Sequence, residues 1–303
     1  MRNAISSPWP SHLIPLFACS LFVAACSSTI PQSSSKRADG SSLVFRSLPR
    51  SEPTFVEGFV ARMDGDVQAT CLGDRHVCTA RVSPASTFKV PHALIALDAK
   101  VVSGPNHLMS WDGVVRPVKA WNQSHTLATA IAASVVWYFR RLALLIGRST
   151  MVAGLHILNV GNQRIGKALD LFWLDGSLRI SPLEQVEFWH RLVSGKHGLS
   201  QRAGEQTLSM VVLGRDKDTV FVGKTGWFRM PEVTNVGWLV GCLIDAKNDT
   251  KGISRTNHRP RICFASVVYA DEPFDHAAFR RRRFELARVG LHELGFTLPL
   301  GAP

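Results

Sequence analysis

Apolar, strand-forming positions mark the start of the folded body. Residues 54–63 and 67–72 are rich in apolar side chains, and the run Asp64-Gly65-Asp66 separates them. Two such segments joined by a short polar turn are typical of a β-hairpin. We therefore predict a hairpin on the edge of a sheet, in a folded body that begins near Pro53.

The middle of the chain predicts helices. A helix is expected to run from Ser86 to Val102, and residues 127–157 form an apolar, alanine-rich stretch with few helix breakers, as buried helices do. Residues 182–193 repeat apolar side chains at helical spacing. Ser181 is a good N-cap for that helix, with Glu184 three positions on.

The last third changes character. Residues 219–224, 236–244 and 261–269 are rich in Val, Ile, Phe and Trp and predict three antiparallel strands, while 279–294 predicts an amphipathic helix. Strands at both ends and helices between them indicate an α+β fold. We expect an antiparallel sheet built from the N- and C-terminal segments and flanked by helices, with an inserted all-helical lobe.

The N-terminus has the form of an export signal. Arg2 precedes an apolar run over 13–25 that is too short for a convincing membrane span. The run ends in Ala25-Cys26, and the ending resembles a bacterial lipobox, which would make Cys26 a lipid-modified first residue; ordinary signal cleavage nearby is the alternative. Serine-rich residues then read as a tether. We assign 1–25 to a lipoprotein-type signal peptide, 26–52 to a linker and 53–303 to the folded domain.

Composition narrows the partners. The chain has 303 residues, 46% of them apolar, and a formal net charge of +12. That charge suits either nucleic-acid binding or a basic exported protein. The export signal decides against nucleic acid and predicts a periplasmic protein, attached to the membrane if Cys26 carries lipid. No sequence feature indicates an oligomer interface, so the protein could be a monomer or a homodimer.

The cysteines outside the signal segment are even in number and suit an oxidising compartment. Four remain, Cys71, Cys78, Cys242 and Cys263, which allow three pairings. We favour Cys71 with Cys78, which flank a turn, and Cys242 with Cys263, which lie in two strand-like runs. A zinc site is the alternative. It is disfavoured because the spacings are not C-x-x-C and no histidine pair lies beside them.

The first chemical signal is the S-x-x-K pair Ser86 and Lys89, at the predicted start of a helix. This spacing places a hydroxyl and an amine on one helical face, as a serine nucleophile with a lysine base requires. The free N–H groups of the helix start suit a developing oxyanion. The pattern alone is common and carries little weight.

Two later motifs join it. Ser134-Val135-Val136 lies in the helical middle, and Lys224-Thr225-Gly226 is expected to end a strand. S-x-x-K followed by K-T-G is a signature of penicillin-recognising serine enzymes. With S-x-V between them, and with the segment 172–176 (Phe-Trp-Leu-Asp-Gly), the chain resembles class D (oxacillinase-type) serine β-lactamases over roughly residues 53–298. A β-lactamase/transpeptidase-like fold and a class D catalytic domain over 53–303 are what this resemblance implies.

The resemblance also implies roles for the residues. Ser86 would attack the β-lactam carbonyl and form an acyl-enzyme, and Ser134 would pass a proton to the departing nitrogen. Lys89, kept neutral by apolar walls that include Val136 and Trp173, would take up carbon dioxide and become N6-carboxylysine, the general base. The Trp173 indole N–H would hold that carbamate. No other cofactor and no metal is implied.

The same resemblance implies which residues would recognise the substrate. Lys224 would supply positive charge, while Thr225 and Arg283 would bind the substrate carboxylate. The other three arginines of the run 280–283 are expected to form a solvated basic face. Backbone N–H groups of Ser86 and of Trp227, which follows Gly226, would form the oxyanion hole.

Two positions depart from the class D pattern. Val160-Gly161-Asn162 stands where an aromatic residue usually precedes Gly-Asn, and Trp137 follows S-x-V where proline is common. The missing aromatic puts substrate breadth and burial of the carbamate in question. The expected function is β-lactam hydrolysis. A sensor that stays acylated is the first alternative, and a transpeptidase, disfavoured by S-x-V, is the second.

Overall fold

A computed structural model describes residues 34–36, 42–47, 55–66, 68–229, 234–246 and 259–299. The predicted signal segment, with its lipobox cysteine Cys26, lies outside the described residues.

An eight-stranded sheet is the central layer of the described residues. Its strands lie in the order β1-β2-β4-β3-β10-β9-β8-β7, and the neighbours pair antiparallel except for the parallel pair β2 and β4. A separate two-stranded ribbon joins β5 to β6. The strands are β1 Ser34–Lys36, β2 Ser42–Arg46, β3 Val56–Met63, β4 Gln68–Gly73, β5 Leu108–Met109, β6 His125–Thr126, β7 Val212–Arg215, β8 Thr219–Arg229, β9 Thr234–Asp245 and β10 Pro260–Asp271.

The predicted hairpin is β3–β4, but its place at the sheet edge is wrong. β4 pairs on its other side with β2, and both β1 and β2 fall in the segment 26–52 that the sequence analysis assigns to a linker. The physical reason lies in the apolar triplet of β2. Leu43 is buried in the core and Phe45 packs against it, so this short stretch supports a strand despite its serine-rich surroundings.

Helices cover both sides of the sheet. The capping box predicted for Ser181 and Glu184 is present at the start of α6. α1 and α7 have no counterpart in the sequence analysis. The helices are α1 Arg75–Thr79, α2 Lys89–Asp98, α3 Leu127–Ala132, α4 Val136–Ile146, α5 Arg148–Leu158, α6 Pro182–Val193, α7 Gln201–Ser209 and α8 His276–Glu293.

Alternation along the strands divides the core into two layers. In β3, Val60 joins the layer shared with the helical lobe and α6, whereas Phe59 joins the layer covered by α8. Gly290 lets α8 lie directly on that second face, because a β-carbon there would stand 2.5 Å from the Phe59 ring. The predicted architecture, a sheet from both chain ends with a helical insertion, is confirmed.

Two disulfides tie the sheet together. Cys242 and Cys263 are register partners on β9 and β10 and are bonded to each other, while Cys71 on β4 is bonded to Cys78 on α1. No group of three or more metal-ligating side chains occurs among the described residues. Within the same residues, no single helix is long and apolar enough to cross a bilayer; α4 and α5 satisfy length and composition only as a pair, and they are bent by 101°.

Candidate active site

Ser86 and Lys89 meet at the front of α2. The α-helix begins at Lys89, and Ser86 lies in a 3₁₀ turn over Ala85–Phe88 rather than in the helix itself. Ala85 has φ of +48°, the left-handed region that residues other than glycine rarely adopt. Lys89 Nζ and Ser86 Oγ are 2.7 Å apart and hydrogen-bonded. The tighter turn thus brings the amine directly to the hydroxyl.

Two neighbouring elements hold this turn in place. From β9, the Trp238 indole N–H donates to the Ser83 carbonyl at 3.0 Å. From α6, the Gln185 amide donates to Thr87 Oγ1 at 2.7 Å, and that hydroxyl donates to the Pro84 carbonyl at 2.8 Å. Ser86 is therefore positioned by both the sheet and α6.

The lysine is completely buried. Lys89 has 0% exposure, and burial, with a smaller contribution from the positive charge of Lys224, lowers its pKa well below the ordinary value. Its Nζ lies 5.6 Å from the centre of the Phe139 ring. No acidic side chain among the described residues pairs with it, so the neutral amine is favoured, as a base requires.

Trp173 belongs to the aromatic cluster around the start of α2. Its indole is fully buried and contacts the Phe88 ring, with the centroids 5.9 Å apart. Its carbonyl accepts from Ser83 Oγ at 2.8 Å. The indole Nε1 has no hydrogen-bond partner in the described part of the molecule. A buried N–H without a partner is costly, and it suits an acceptor that arrives at this site.

Ser134 is not a helical residue. It connects α3 to α4 with φ of +56°, and its Oγ is buried without a partner among the described residues. The hydroxyl is therefore free to act as donor or acceptor. Val136, half-buried, is the first residue of α4. Trp137 serves the packing of the lobe, because its buried indole donates to the Trp121 carbonyl at 2.8 Å.

The K-T-G motif lies inside β8, which continues to Arg229, so the expectation that it ends a strand is wrong. Lys224 is 6% exposed, and burial with the nearby charge of Arg283 lowers its pKa to about 8. Its Nζ donates to the Thr225 carbonyl at 3.3 Å. A β-carbon on Gly226 would lie 2.9 Å from the Pro84 carbonyl oxygen, which shows how closely β8 approaches the serine turn.

Arg283 comes to this strand from α8. Its Nη1 donates to the Gly226 carbonyl at 3.0 Å, the side chain is 7% exposed, and burial with the nearby charge of Arg280 lowers its pKa to about 10. No carboxylate among the described residues pairs with it. A buried, unpaired guanidinium beside Thr225 suits the carboxylate of a ligand.

The basic face predicted around Arg283 needs one correction. Arg280 and Arg281 are exposed as expected, but Arg282 is buried and pairs with Glu57 on β3 and Glu285 on α8. The cause is the helical spacing, because α8 lies on the sheet and a residue next to Arg283 also points inward. Arg282 is therefore a structural ion pair.

Trp227 and the motif Val160-Gly161-Asn162 have structural partners. Trp227 is half-buried, with its indole N–H donating to Asn235 Oδ1 at 2.7 Å. Val160 is 2% exposed and belongs to the core layer of the helical lobe. Gly161 has no room for a side chain, and the Asn162 amide donates to the Ser177 carbonyl at 2.9 Å. The V-G-N motif thus fastens the loop that follows Trp173.

Sequence reasoning missed one polar residue near the lysine. His92 is completely buried, one helical turn after Lys89 on α2, and its ring lies 5.1 Å from that of Trp173. The signal that could have found it is a histidine three positions after the lysine inside an apolar run.

The sheet with its helical lobe, and the Ser-Lys pair under a K-T-G strand, define a penicillin-recognising serine fold. The family model for the penicillin binding protein transpeptidase domain matches residues 63–248, and the chain belongs to this family.

Within that family, the resemblance to class D enzymes is confirmed. A class D β-lactamase from Sebaldella termitidis superposes with a TM-score of 0.72 and 26% identity, over 80% of this chain and 93% of that one. The β-lactamase OXA-48 of Klebsiella pneumoniae is 39% identical over 158 residues, 52% of this chain and 59% of that protein.

A regulatory relative is similar as well. The regulatory protein BlaR1 of Bacillus licheniformis is 35% identical over 175 residues, which are 58% of this chain and 29% of that protein. The chain therefore spans about three fifths of the length of OXA-48 and less than a third of BlaR1.

Proposed function

We propose that this protein hydrolyses β-lactam antibiotics, first penicillins, including oxacillin, and also cephalosporins, through an acyl-enzyme on Ser86. The observation that carries the proposal is the 2.7 Å contact between Ser86 Oγ and the buried amine of Lys89. An amine kept neutral by burial can accept the proton of a serine hydroxyl, which an exposed lysine with a pKa of about 10.4 cannot do at neutral pH.

The residues divide the acylation between them. Ser86 Oγ attacks the lactam carbonyl carbon as its proton moves to Lys89 Nζ, and the carbon–nitrogen bond of the ring then breaks. The unpartnered Ser134 hydroxyl returns a proton to the departing nitrogen, supported by the positive charge of Lys224. Arg283 and Thr225 hold the substrate carboxylate, while the N–H groups of Ser86 and Trp227 face the oxyanion.

The site fits a carbon dioxide group on Lys89. The amine is kept neutral by burial and is shielded from solvent, and the buried Trp173 N–H lacks an acceptor among the described residues. When bound, this group would replace the amine as an anionic general base, both for Ser86 and for the water that releases the acyl group, because a carbamate nitrogen is no longer basic. The protein's own share is to exclude bulk water with Phe88, Phe139 and Trp173 and to offer the indole N–H.

The second candidate is a sensor that binds penicillin and stays acylated, which the similarity to BlaR1 favours. Both candidates form the same acyl-enzyme, so they differ only in its lifetime. The shared step is tested by incubating the protein with a penicillin, quenching the reaction and measuring the mass of the intact protein by mass spectrometry. A mass increase of one penicillin, absent in Ser86→Ala, supports acylation at Ser86; no increase in the wild type, together with no loss of penicillin from the solution, would refute both candidates.

We further propose that the protein acts in the periplasm, as a monomer or homodimer. The export-signal pattern and the two disulfides of the described domain support an oxidising compartment. Attachment to the membrane through a lipid on Cys26 is part of the same proposal. Metabolic labelling with a fatty acid, compared between wild type and Cys26→Ser, tests it.

A further inference from the structure

His92 is a buried histidine that the acylation mechanism does not use. It lies on α2 with 0% exposure, and neither ring nitrogen has a hydrogen-bond partner among the described residues. His125, which is also buried, shows the ordinary arrangement. Its Nδ1 contacts Thr129 Oγ1 at 3.1 Å and its Nε2 contacts the Ala120 carbonyl at 2.9 Å. His92 therefore differs from a histidine that the core has satisfied.

His92 and Lys89 lie on the same helix and share an aromatic neighbour. The ring of His92 lies 5.5 Å from Phe88, 5.3 Å from Phe139 and 5.1 Å from Trp173, measured between centroids. The amine of Lys89 lies over the same Phe139 ring. One apolar enclosure thus contains the reactive amine together with two side chains, His92 and Trp173, whose N–H groups lack acceptors.

His92 is neutral in this enclosure. Burial, with a smaller contribution from the charge of Lys89, lowers its pKa to about 3. A neutral imidazole has one N–H donor and one acceptor nitrogen. It is therefore unsuited to proton transfer at neutral pH but able to donate a hydrogen bond. Each buried polar group left unmatched costs about 1–3 kcal/mol, so an arriving acceptor would be bound favourably.

We propose that His92 is a second hydrogen-bond donor, beside Trp173, for the carboxylate formed when carbon dioxide adds to Lys89. In that step the lone pair of neutral Nζ forms a bond to the carbon of CO₂, and one C=O electron pair moves to oxygen. The nitrogen releases one proton to the buffer. The product is an anion with two acceptor oxygens in a place that holds two unmatched N–H donors. This inference rests on the proposed modification of Lys89.

The test measures carbon dioxide uptake directly. The purified protein is titrated with ¹³C-bicarbonate, and the carbamate carbon is followed by NMR, with Lys89→Ala assigning the signal. A hydrogen bond to a charged group is worth about 1.5–3 kcal/mol, so His92→Phe is expected to raise the apparent Kd for CO₂ by about ten- to hundredfold. His197→Phe is the matched control, since His197 is also buried with an unpartnered Nε2 and its charged neighbour is Asp98, at the opposite end of α2 from Lys89. It should leave the Kd unchanged.

Each outcome of this titration either supports or overturns the role of His92. A wild-type signal with equal Kd in His92→Phe overturns the role of His92 and leaves the lysine modification standing. No wild-type signal at any bicarbonate concentration overturns the inference, while acylation of Ser86 in the same preparation still judges the proposed function. The phenylalanine variant should fold, because it replaces unmatched polar atoms with a similar apolar shape. Failure of both His92→Phe and His92→Asn to fold would show a structural role and also overturn the inference.

Discussion

Gly226 on β8 and Pro84 in the serine turn approach so closely that a β-carbon on the glycine would lie 2.9 Å from the proline carbonyl oxygen. The strand that carries Lys224 and Thr225 is therefore seated directly against the turn that carries Ser86. This contact fixes the distance between the proposed nucleophile and the strand proposed to bind the substrate.

Gly226→Ala should separate β8 from the turn. We expect kcat/KM for a chromogenic cephalosporin to fall by about tenfold or more, because a displacement of about 1 Å is enough to misalign reacting groups. Gly295→Ala is the control, since its β-carbon meets open space while its φ of +81° still strains the backbone. The control should lower Tm yet keep kcat/KM. Equal kcat/KM in both variants would contradict the positioning role.

The pH profile of kcat/KM should be bell-shaped. Activity rises with pH as Lys89 loses its proton, at a pKa well below that of a free lysine. It falls again near pH 8, where Lys224 loses its charge. Lys224→Arg keeps the charge, so we expect the alkaline fall to move upward by one unit or more. An alkaline fall that stays near pH 8 in this variant would assign it to another group.

Lys89→Met should stabilise the fold while ending hydrolysis. The unfolded chain binds a proton at Lys89 at neutral pH, whereas the folded protein does not, so wild-type stability rises with pH through this range. Methionine removes that cost, and its benefit should be largest at low pH. We expect Tm to rise by about 3–10 °C at pH 7, measured by calorimetry. Lys119→Met, at an exposed position, should not change Tm; a lower Tm for Lys89→Met would contradict the account.

Arg283→Ala should impair substrate binding more than the chemistry. The lost carboxylate contact, worth about 1.5–3 kcal/mol, predicts a KM about ten- to hundredfold higher. Arg281→Ala, exposed on the same helix, should leave KM unchanged. Steady-state kinetics on several penicillins measure both values. A fall confined to kcat would remove Arg283 from carboxylate recognition.

The sequence predicted the fold where periodicity is strong and local. The hairpin β3–β4, the long strands β8 to β10 and the capped helix α6 follow from such patterns. β2 was missed because its apolar triplet stands among serines, and its strand forms through pairing with β1 and β4. Tertiary contact, which no local window contains, decided this element.

The predictions for the candidate site depend on local and on tertiary information in the same way. The motif spacing brought Ser86, Lys89 and Lys224 into one candidate site, because these residue types would carry the proposed chemistry directly. The burial of Arg282 and the unmatched nitrogens of His92 depend on neighbours distant in sequence, such as Glu57 and Trp173. Single-sequence patterns contain no record of those neighbours, and only the packed structure brings them together.

The most direct test of the central claim counts turnovers. A stopped-flow experiment follows a chromogenic cephalosporin in bicarbonate buffer at a tenfold excess over enzyme, with Ser86→Ala as blank. A hydrolase with a dry, basic lysine is expected to consume the whole excess, and the Ser86→Ala variant none of it. Release of one equivalent per enzyme followed by no further product, with the adduct still on Ser86, would contradict hydrolysis and identify a sensor.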